Sequence, residues 1–333
     1  MGSIQLKCLA TGATGFIGPY LVKRLTSLGH ECRCLVRTSG NEEQLNGLNV
    51  EFVQGDITEP KTLRGIADGI DFVFHMATLG HMGHFRVTEA MFREVNVQGT
   101  LNIMREAGRA GVQKFVHCSS VAAMGICSEV PATEETECQP HHAYGRSKLE
   151  AEKEVFRMVV ENALPAVIVR FSMVYGPGDW RDILRLTRLA KKGLFPKIGN
   201  RSKLTPLIHV DDAVEGLLLA AQKGRVGEIY LITNPESIPF DEIRKILQRV
   251  LGVKRFPAYI PEWLALSMAS LSEKLFPVIG KVPPVTRKNI ESTLADRIFS
   301  IEKAKKELGF EPSIDPVDGL KQTVEWYQQN RWV

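Results

Sequence analysis

Residues 11–18 read Thr-Gly-Ala-Thr-Gly-Phe-Ile-Gly and follow directly on a short apolar run, Ile4 to Ala10. The pattern puts Gly12, Gly15 and Gly18 at a strand-to-helix turn. Glycine permits the tight backbone there and lets a diphosphate approach the main chain. The helix that follows, Pro19 to Leu28, would point its N-terminal N–H groups at that anion. The position between a strand and a helix, near the start of the chain, is the context that dinucleotide binding requires. Beyond it, short apolar runs alternate with helical patterns. Strands are expected near 6–10, 31–36, 50–54, 71–75, 114–118 and 166–171, and helices near 16–28, 60–67, 88–110 and 143–161. Continuous apolar strands separated by helices predict an α/β fold with a doubly wound parallel sheet.

A second constellation names a chemistry. Tyr144-Gly145-Arg146-Ser147-Lys148 sets a phenol and an ammonium four residues apart, and Glu150 to Glu154 continue as helix formers. The two side chains therefore share a helix face. Upstream, Lys114 to Ser120 reads as a strand ending in hydroxyls. A phenol titrates near pH 10 in water. A neighbouring cation, with the positive ring of an oxidised nicotinamide, would lower that value and make Tyr144 a proton donor or acceptor near neutrality.

These residues carry a family resemblance. The chain resembles the extended short-chain dehydrogenases/reductases of the NAD(P)-dependent epimerase/dehydratase superfamily, the dihydroflavonol-reductase-like and hydroxysteroid-dehydrogenase-like members in particular. The matching segments are Thr11–Gly18, Asp56-Ile57, His75-Met76-Ala77, Asn96–Thr100, Ser120, Tyr144, Lys148, Arg170–Pro177 and His209–Asp212. The resemblance implies a Rossmann domain over residues 1–176, to which 205–233 returns. It also implies a smaller, mostly helical substrate lobe of 177–204 and 234–333. Tyr144 would be the general acid/base, Lys148 would lower its pKa and bind the nicotinamide ribose, and Ser120 would hold the substrate oxygen. Ser119 would be structural. Cofactor contacts would come from Gly12, Thr14, Gly15, Phe16, Ile17 and Gly18 at the turn. Arg37, Asp56, Ile57, Ala77, Asn96, Phe171 and Ser172, with Tyr144 and Lys148, would supply the rest.

The second strand ends Val36-Arg37-Thr38-Ser39, where NAD-users of the family often carry Asp in place of Val36. An acid there would repel a 2′-phosphate; a guanidinium beside hydroxyls suits one. The expected cofactor is NADP rather than NAD.

Three functions compete. One is an NADP-dependent ketone or aldehyde reductase, equivalently a secondary-alcohol dehydrogenase. A second is a nucleotide-sugar epimerase with tightly bound NAD(P). A third is a catalytically silent NADP-binding regulator. Val121-Ala122 stand where dehydratases carry an acidic pair, which argues against dehydration. Thr205-Pro206 stand where nucleotide-sugar enzymes usually carry an Arg, although Arg201 and Lys203 lie close by. Intact Ser120, Tyr144 and Lys148 weigh against the regulator. Phe171 replaces the family's usual Pro and Thr78 a small Ala. Asp211 and Asp212 need no role beyond capping a helix.

Forty-two basic against 38 acidic residues leave a net charge of only +4, dispersed along the chain, so nucleic acid is not an expected partner. A small molecule, rather apolar, is; a homodimer through two helices of the Rossmann domain is the family's usual assembly. No apolar run reaches the eighteen or so residues of a membrane span, and no segment has signal-peptide form. Six cysteines without a Cys-x-x-Cys pair suit a reducing, cytoplasmic setting. His81-x-x-His84, with Glu89 beyond it, and His141-His142 lack metal-ligand spacing and read as polar loops, so no metal is expected. The basic side chains of the helix Trp180 to Lys192 read as a solvated face. The apolar stretch from Pro261 to Ile279 reads as the wall of a hydrophobic pocket rather than a membrane-surface helix.

Overall fold

The computed structural model describes residues 5–37, 42–80, 87–127, 129–199, 203–254, 258–279, 283, 285–287, 290–291 and 294–333. Six strands follow the apolar runs: β1 (Lys7–Thr11), β2 (Glu31–Val36), β3 (Val50–Gln54), β4 (Phe72–His75), β5 (Lys114–Ser120) and β6 (Ala166–Phe171). A seventh, Ile229–Ile232, pairs with β6 at one edge. The order is edge strand, β6, β5, β4, β1, β2, β3, and every pairing is parallel. The order reverses direction at β1, the switch point beside which ligands bind in such sheets.

Both faces are covered. On one, α1 (Ile17–Ser27) and α6 (Val210–Lys223) pack over the sheet, joined by Ile301, Ala304, Leu308 and Phe310. On the other lie α3 (Gly99–Ala110) and the long α4 (Ala143–Asn162). β6 is buried at all six positions, as a central strand covered on both faces must be.

The remainder gathers around a third cluster built by α5 (Asp182–Lys191), α7 (Phe240–Val250) and the helix Pro316–Gln329, with Tyr327, Leu320 and Val324 fully buried. That last helix is absent from the sequence reading, although Asp315 caps it and Pro316 opens it. The helix Glu302–Leu308 packs in the Rossmann core rather than in this lobe.

Three other expectations are corrected. The helix expected over 60–67 is one 3-10 turn, Pro60–Leu63, because the chain turns at Gly65 and Gly69, whose φ values are +75° and +69°. The helix expected over 88–110 is α2 (Glu89–Arg93), then a π turn at Glu94–Gln98, then α3. The apolar stretch from Pro261 to Ile279, expected to wall a pocket, turns much of its apolar surface outward. It forms α8 (Glu262–Val278), which buries only Ala265 and Ala269 and leaves Trp263 68% and Val278 82% exposed. No described helix is long and apolar enough to cross a membrane.

Candidate active site

The expected site residues stand at the carboxyl ends of the parallel strands. β1 runs into the glycine turn. Gly12 has φ +72°, and a Cβ there would lie 2.8 Å from the amide nitrogen of Ala77, at the end of β4. Thr14, Gly15 and Ile17 are half-buried in the turn and Phe16 is buried. A Cβ on Gly18 would meet the Gly12 carbonyl at 2.4 Å, so α1 starts pressed against the turn. No side chain caps α1 and no acid stands in its first turn. The orphan N–H groups of a helix start attract an anion. A shallow main-chain cradle, closed to side chains and carrying uncapped amides, fits a dinucleotide diphosphate.

Beside it, Arg37 is exposed just past β2, and Asp56 is half-buried just past β3. Burial raises the Asp56 pKa, but hydrogen bonds from the Thr58 amide (2.8 Å) and hydroxyl (2.7 Å), with the Arg37 charge, outweigh it and hold the carboxyl below its ordinary range. Ile57 is buried beneath, its carbonyl accepting from Asn102 Nδ2 at 2.8 Å. Thr38 and Ser39, expected to assist Arg37, lie outside the described residues, as do His81, His84 and Arg201.

The groups expected to react gather at the end of β5. The Ser120 Oγ accepts from the Ala122 amide at 3.1 Å. A Cβ on Gly145 would fall 2.3 Å from the Ala122 carbonyl, so α4 starts hard against the turn that follows Ser120. Tyr144 is half-buried, between Phe92 (ring centroids 6.0 Å) and the stacked ring of His142 (6.2 Å). Burial raises its pKa; the Ser120 hydrogen bond and then the Arg181 charge pull it back without cancelling the rise. The chain's own groups therefore do not depress the phenol as the sequence suggested. Lys148 is 2% exposed and donates from Nζ to the Cys118 carbonyl at 2.5 Å. Burial pushes it down to about 8, against the opposing effects of Cys118 and Glu152.

Asn96 occupies the π turn. Its Nδ2 donates to Ser147 Oγ (2.9 Å) and to the Leu79 carbonyl (3.2 Å); its Oδ1 accepts from Thr78 Oγ1 and the Leu79 amide. Ser147 in turn donates to the Tyr144 carbonyl at 2.8 Å. One buried side chain thus joins the loop after β4 to the first turn of α4. His75 links the same region to the glycine turn, with Nδ1 2.8 Å from Thr11 Oγ1 and Nε2 3.0 Å from Thr100 Oγ1. Burial and the Lys148 charge push it down to about 3, so it is neutral. Thr11 Oγ1 also accepts from Ala77 N at 3.2 Å.

Phe171 packs in the same core cluster as Phe16, and the Ser172 hydroxyl accepts from Thr233 at 2.7 Å. Ser119 donates to Glu152, which forms a buried ion pair with Arg170 at 2.7 Å, in keeping with a structural part. Glu89 pairs with Arg146 at 2.8 Å, tying α2 to α4. Among the described residues no group of three or more ligating side chains could hold a metal ion.

Two features escaped the sequence reading. His142 caps α4, its Nδ1 accepting from the Gly145 amide at 2.8 Å. Arg181 does not belong to a solvated face. It lies over the Phe16 ring at 4.7 Å, held by Asp179 Oδ1 (2.7 Å) and the Val174 carbonyl (2.7 Å). Only the tertiary fold brings Arg181 to Phe16.

Comparison with known proteins assigns the arrangement. The NAD dependent epimerase/dehydratase family matches residues 8–233. The chain belongs to that family. This family member is 31% identical, over 97% of its length and 95% of the relative's, to a putative dihydroflavonol 4-reductase of Synechocystis sp.. It is 27% identical to a 2-alkyl-3-oxoalkanoate reductase of Stenotrophomonas maltophilia, over 95% and 98% of the two chains. The UDP-glucose 4-epimerase of Thermotoga maritima superposes with a TM-score of 0.81 at 25% identity, covering 98% of this chain and all of that one. The protein is thus an NAD(P)-dependent enzyme of the extended short-chain dehydrogenase/reductase type, with oxidoreductase chemistry on a small molecule.

Proposed function

We propose that this family member reduces a ketone or aldehyde with NADPH, or oxidises the matching secondary alcohol, using Ser120, Tyr144 and Lys148. The observation that carries the reading is that α4 starts pressed against the turn after Ser120, which sets Tyr144 in its first turn beside the end of β5, with Lys148 one helical turn on. A bound nicotinamide dinucleotide supplies the hydride. The turn from Gly12 to Gly18 would hold its diphosphate, Arg37 its 2′-phosphate and Asp56 its adenine, with Ile57, Ala77, Asn96, Phe171 and Ser172 lining the remainder. Ser120 donates a hydrogen bond to the substrate oxygen. Tyr144 gives that oxygen its phenolic proton, and the raised phenol pKa favours the protonated form that a reductase needs. Lys148, fixed by the Cys118 carbonyl, orients the ribose and favours the phenolate left behind.

Residues 177–204 and 234–333, apart from the segment 301–310 that packs in the first core, would supply the substrate lobe of a chain whose Rossmann part is 1–176 with 205–233. The reductase names of the relatives support an apolar carbonyl compound as substrate. Arg37 at the end of β2, with Val36 in place of an acid, supports NADP. We place the protein in the cytoplasm, as a homodimer through two helices of the Rossmann domain; its six cysteines are all free.

The test is a panel of hydrophobic ketones, aldehydes and nucleotide sugars, each run with NADPH and with NADH. Net oxidation of NADPH by a carbonyl compound, favoured over NADH about ten- to a hundredfold, is expected from a charge-assisted Arg–phosphate pair. Tyr144→Phe should cut that turnover by at least about a hundredfold with cofactor binding kept. Conversion of a nucleotide sugar without net loss of NADPH would make the protein an epimerase instead. No turnover anywhere in the panel would count for the silent regulator.

A further inference from the structure

Arg297 is a cation without a counterion. Its Nε is closed to solvent and has no hydrogen-bond partner, and among the described residues no acid pairs with its guanidinium. Burial lowers its pKa, and only the Cys127 thiol, among the described residues, opposes the fall. The acid next to it in the chain, Asp296, is turned to Lys203 Nζ at 3.2 Å and to the Leu204 amide at 3.1 Å. The buried Arg170 meets Glu152 at 2.7 Å, as a structural ion pair does; Arg297 has no such neighbour among the described residues. The residue as a whole keeps partial exposure, so its side chain is enclosed yet reachable. Enclosing an unpaired charge is costly, and the place where a chain does so is one where a ligand brings the opposite charge.

The backbone that carries it is held on both sides. The Arg297 amide donates to the Leu204 carbonyl at 3.1 Å, and its carbonyl accepts from Ser237 Oγ at 3.3 Å. One residue on, the Ile298 carbonyl accepts from the Ala132 amide and the Ser300 amide donates to the Ala132 carbonyl, each at 2.8 Å. The guanidinium lies over the Phe299 ring, 5.9 Å from its centroid. That ring is buried in one cluster with Val121 and Met124, which belong to the turn that Ser120 opens. Cys127, the thiol that feels the charge, lies further along the same loop and packs against the same cluster. An aromatic ring thus separates the cation from the turn that bears the proposed catalytic hydroxyl, and its face packs the guanidinium without neutralising it.

We propose that Arg297 binds a carboxylate of the substrate, so that the carbonyl compound this protein reduces is an oxo acid. The inference rests on the reductase reading above and adds to it the charge that the substrate carries. A planar guanidinium matches a carboxylate with two parallel hydrogen bonds. One guanidinium also balances one negative charge. The nearby cations Lys203 and Arg170 are each paired already, with Asp296 and Glu152, so they are not set to meet the second charge of a phosphate monoester. Held at Arg297, the acid end of the molecule would set how far along its chain the carbonyl that reaches Ser120 and Tyr144 must lie.

The experiment runs oxo acids with apolar chains, the ketone at increasing distance from the carboxylate. Each is run with NADPH beside its methyl ester and beside the matching oxoalkyl phosphate. The preferred acid should exceed its ester in kcat/KM by at least about tenfold, as a charge-assisted pair requires, and chiefly through KM. Arg297→Met should lose at least about ten times more on the acid than on the ester, and Arg297→Lys should keep part of the preference. Binding is read separately, by calorimetry of the NADP-loaded chain with decanoate, which has no ketone to reduce. The parent should bind it at least about tenfold more tightly than Arg297→Met does. Arg297→Lys, which keeps the charge and loses the fork, carries the comparison should Arg297→Met fail to fold. If no carbonyl compound oxidised NADPH, the reductase reading would fall, and the decanoate titration would still decide the role of Arg297. Acids and esters turned over alike, a phosphate preferred to the acid, or decanoate bound equally by parent and variants, would each overturn the proposal.

Discussion

Tyr144 and Lys148 stand one turn apart, yet burial acts on them in opposite senses: it raises the phenol and lowers the ammonium, because each charged form is the one that loses water. The sign of the pH effect on stability follows. Lys148, at about 8 in the folded chain, sheds its proton before the unfolded chain does at about 10.4. Between those values the unfolded state holds more protons, so this residue makes stability rise with pH. Calorimetry of the parent and Lys148→Met from about pH 7.5 upward should find the parent gaining on the variant by up to about 3 kcal/mol as the window is crossed. A flat difference, or one of opposite slope, would show that Lys148 is not held near 8. The placing of Tyr144 and Lys148 one turn apart on a helix was legible in the sequence because their spacing is local. Asp179, Arg181 and His142 were not. An arginine over the Phe16 ring and a histidine at a helix start leave no periodic trace, and the ring under the arginine lies far away in the chain.

The start of α4 is where the elements meet: the π turn reaches it through Asn96 and Ser147, and the turn after Ser120 touches Gly145. Gly145→Ala would drive a Cβ to within 2.3 Å of a backbone carbonyl. Either the helix start or the turn must shift, and both carry a hydroxyl of the proposed reaction. A loss of at least about tenfold in kcat is expected, with a destabilisation of about 1–3 kcal/mol from overpacking and little change in NADP affinity. Unaltered kcat would mean that this contact does not set the distance between Ser120 and Tyr144. The strands were legible at this scale because each is a continuous apolar run. The π turn was not, since one extra residue within a helix leaves the apolar pattern almost unchanged. Nor was the orientation of α8: a helix apolar nearly all round does not say which side it buries.

At the scale of the molecule the last segment stitches the two parts together. Phe310 is fully buried in the Rossmann core, and Tyr327 donates to the Asp179 carbonyl at 2.5 Å. The chain should therefore unfold as one unit. Urea transitions followed by far-ultraviolet dichroism and by tryptophan emission, to which Trp180, Trp326 and Trp332 contribute, should coincide. Phe310→Ala should move both together by about 3–5 kcal/mol. Separate midpoints would mean that the parts unfold independently. The return of residues 301–310 to the first core was hidden in the sequence, because a seven-residue helix of Glu, Lys, Ala and Leu reads alike wherever it packs.

The glycine cradle has one more consequence, for how such an enzyme can change. Its walls are main chain: Gly12 against Ala77, and Gly18 against the Gly12 carbonyl. There is hardly a side chain to exchange, and almost any replacement collides with backbone. Selection therefore has little to vary where the cofactor's common portion would rest. Arg37, by contrast, is exposed at a strand end. A population pressed to adopt the other dinucleotide would be expected to alter Val36 and Arg37 again and again, while the sequence from Thr11 to Gly18 stayed as it is.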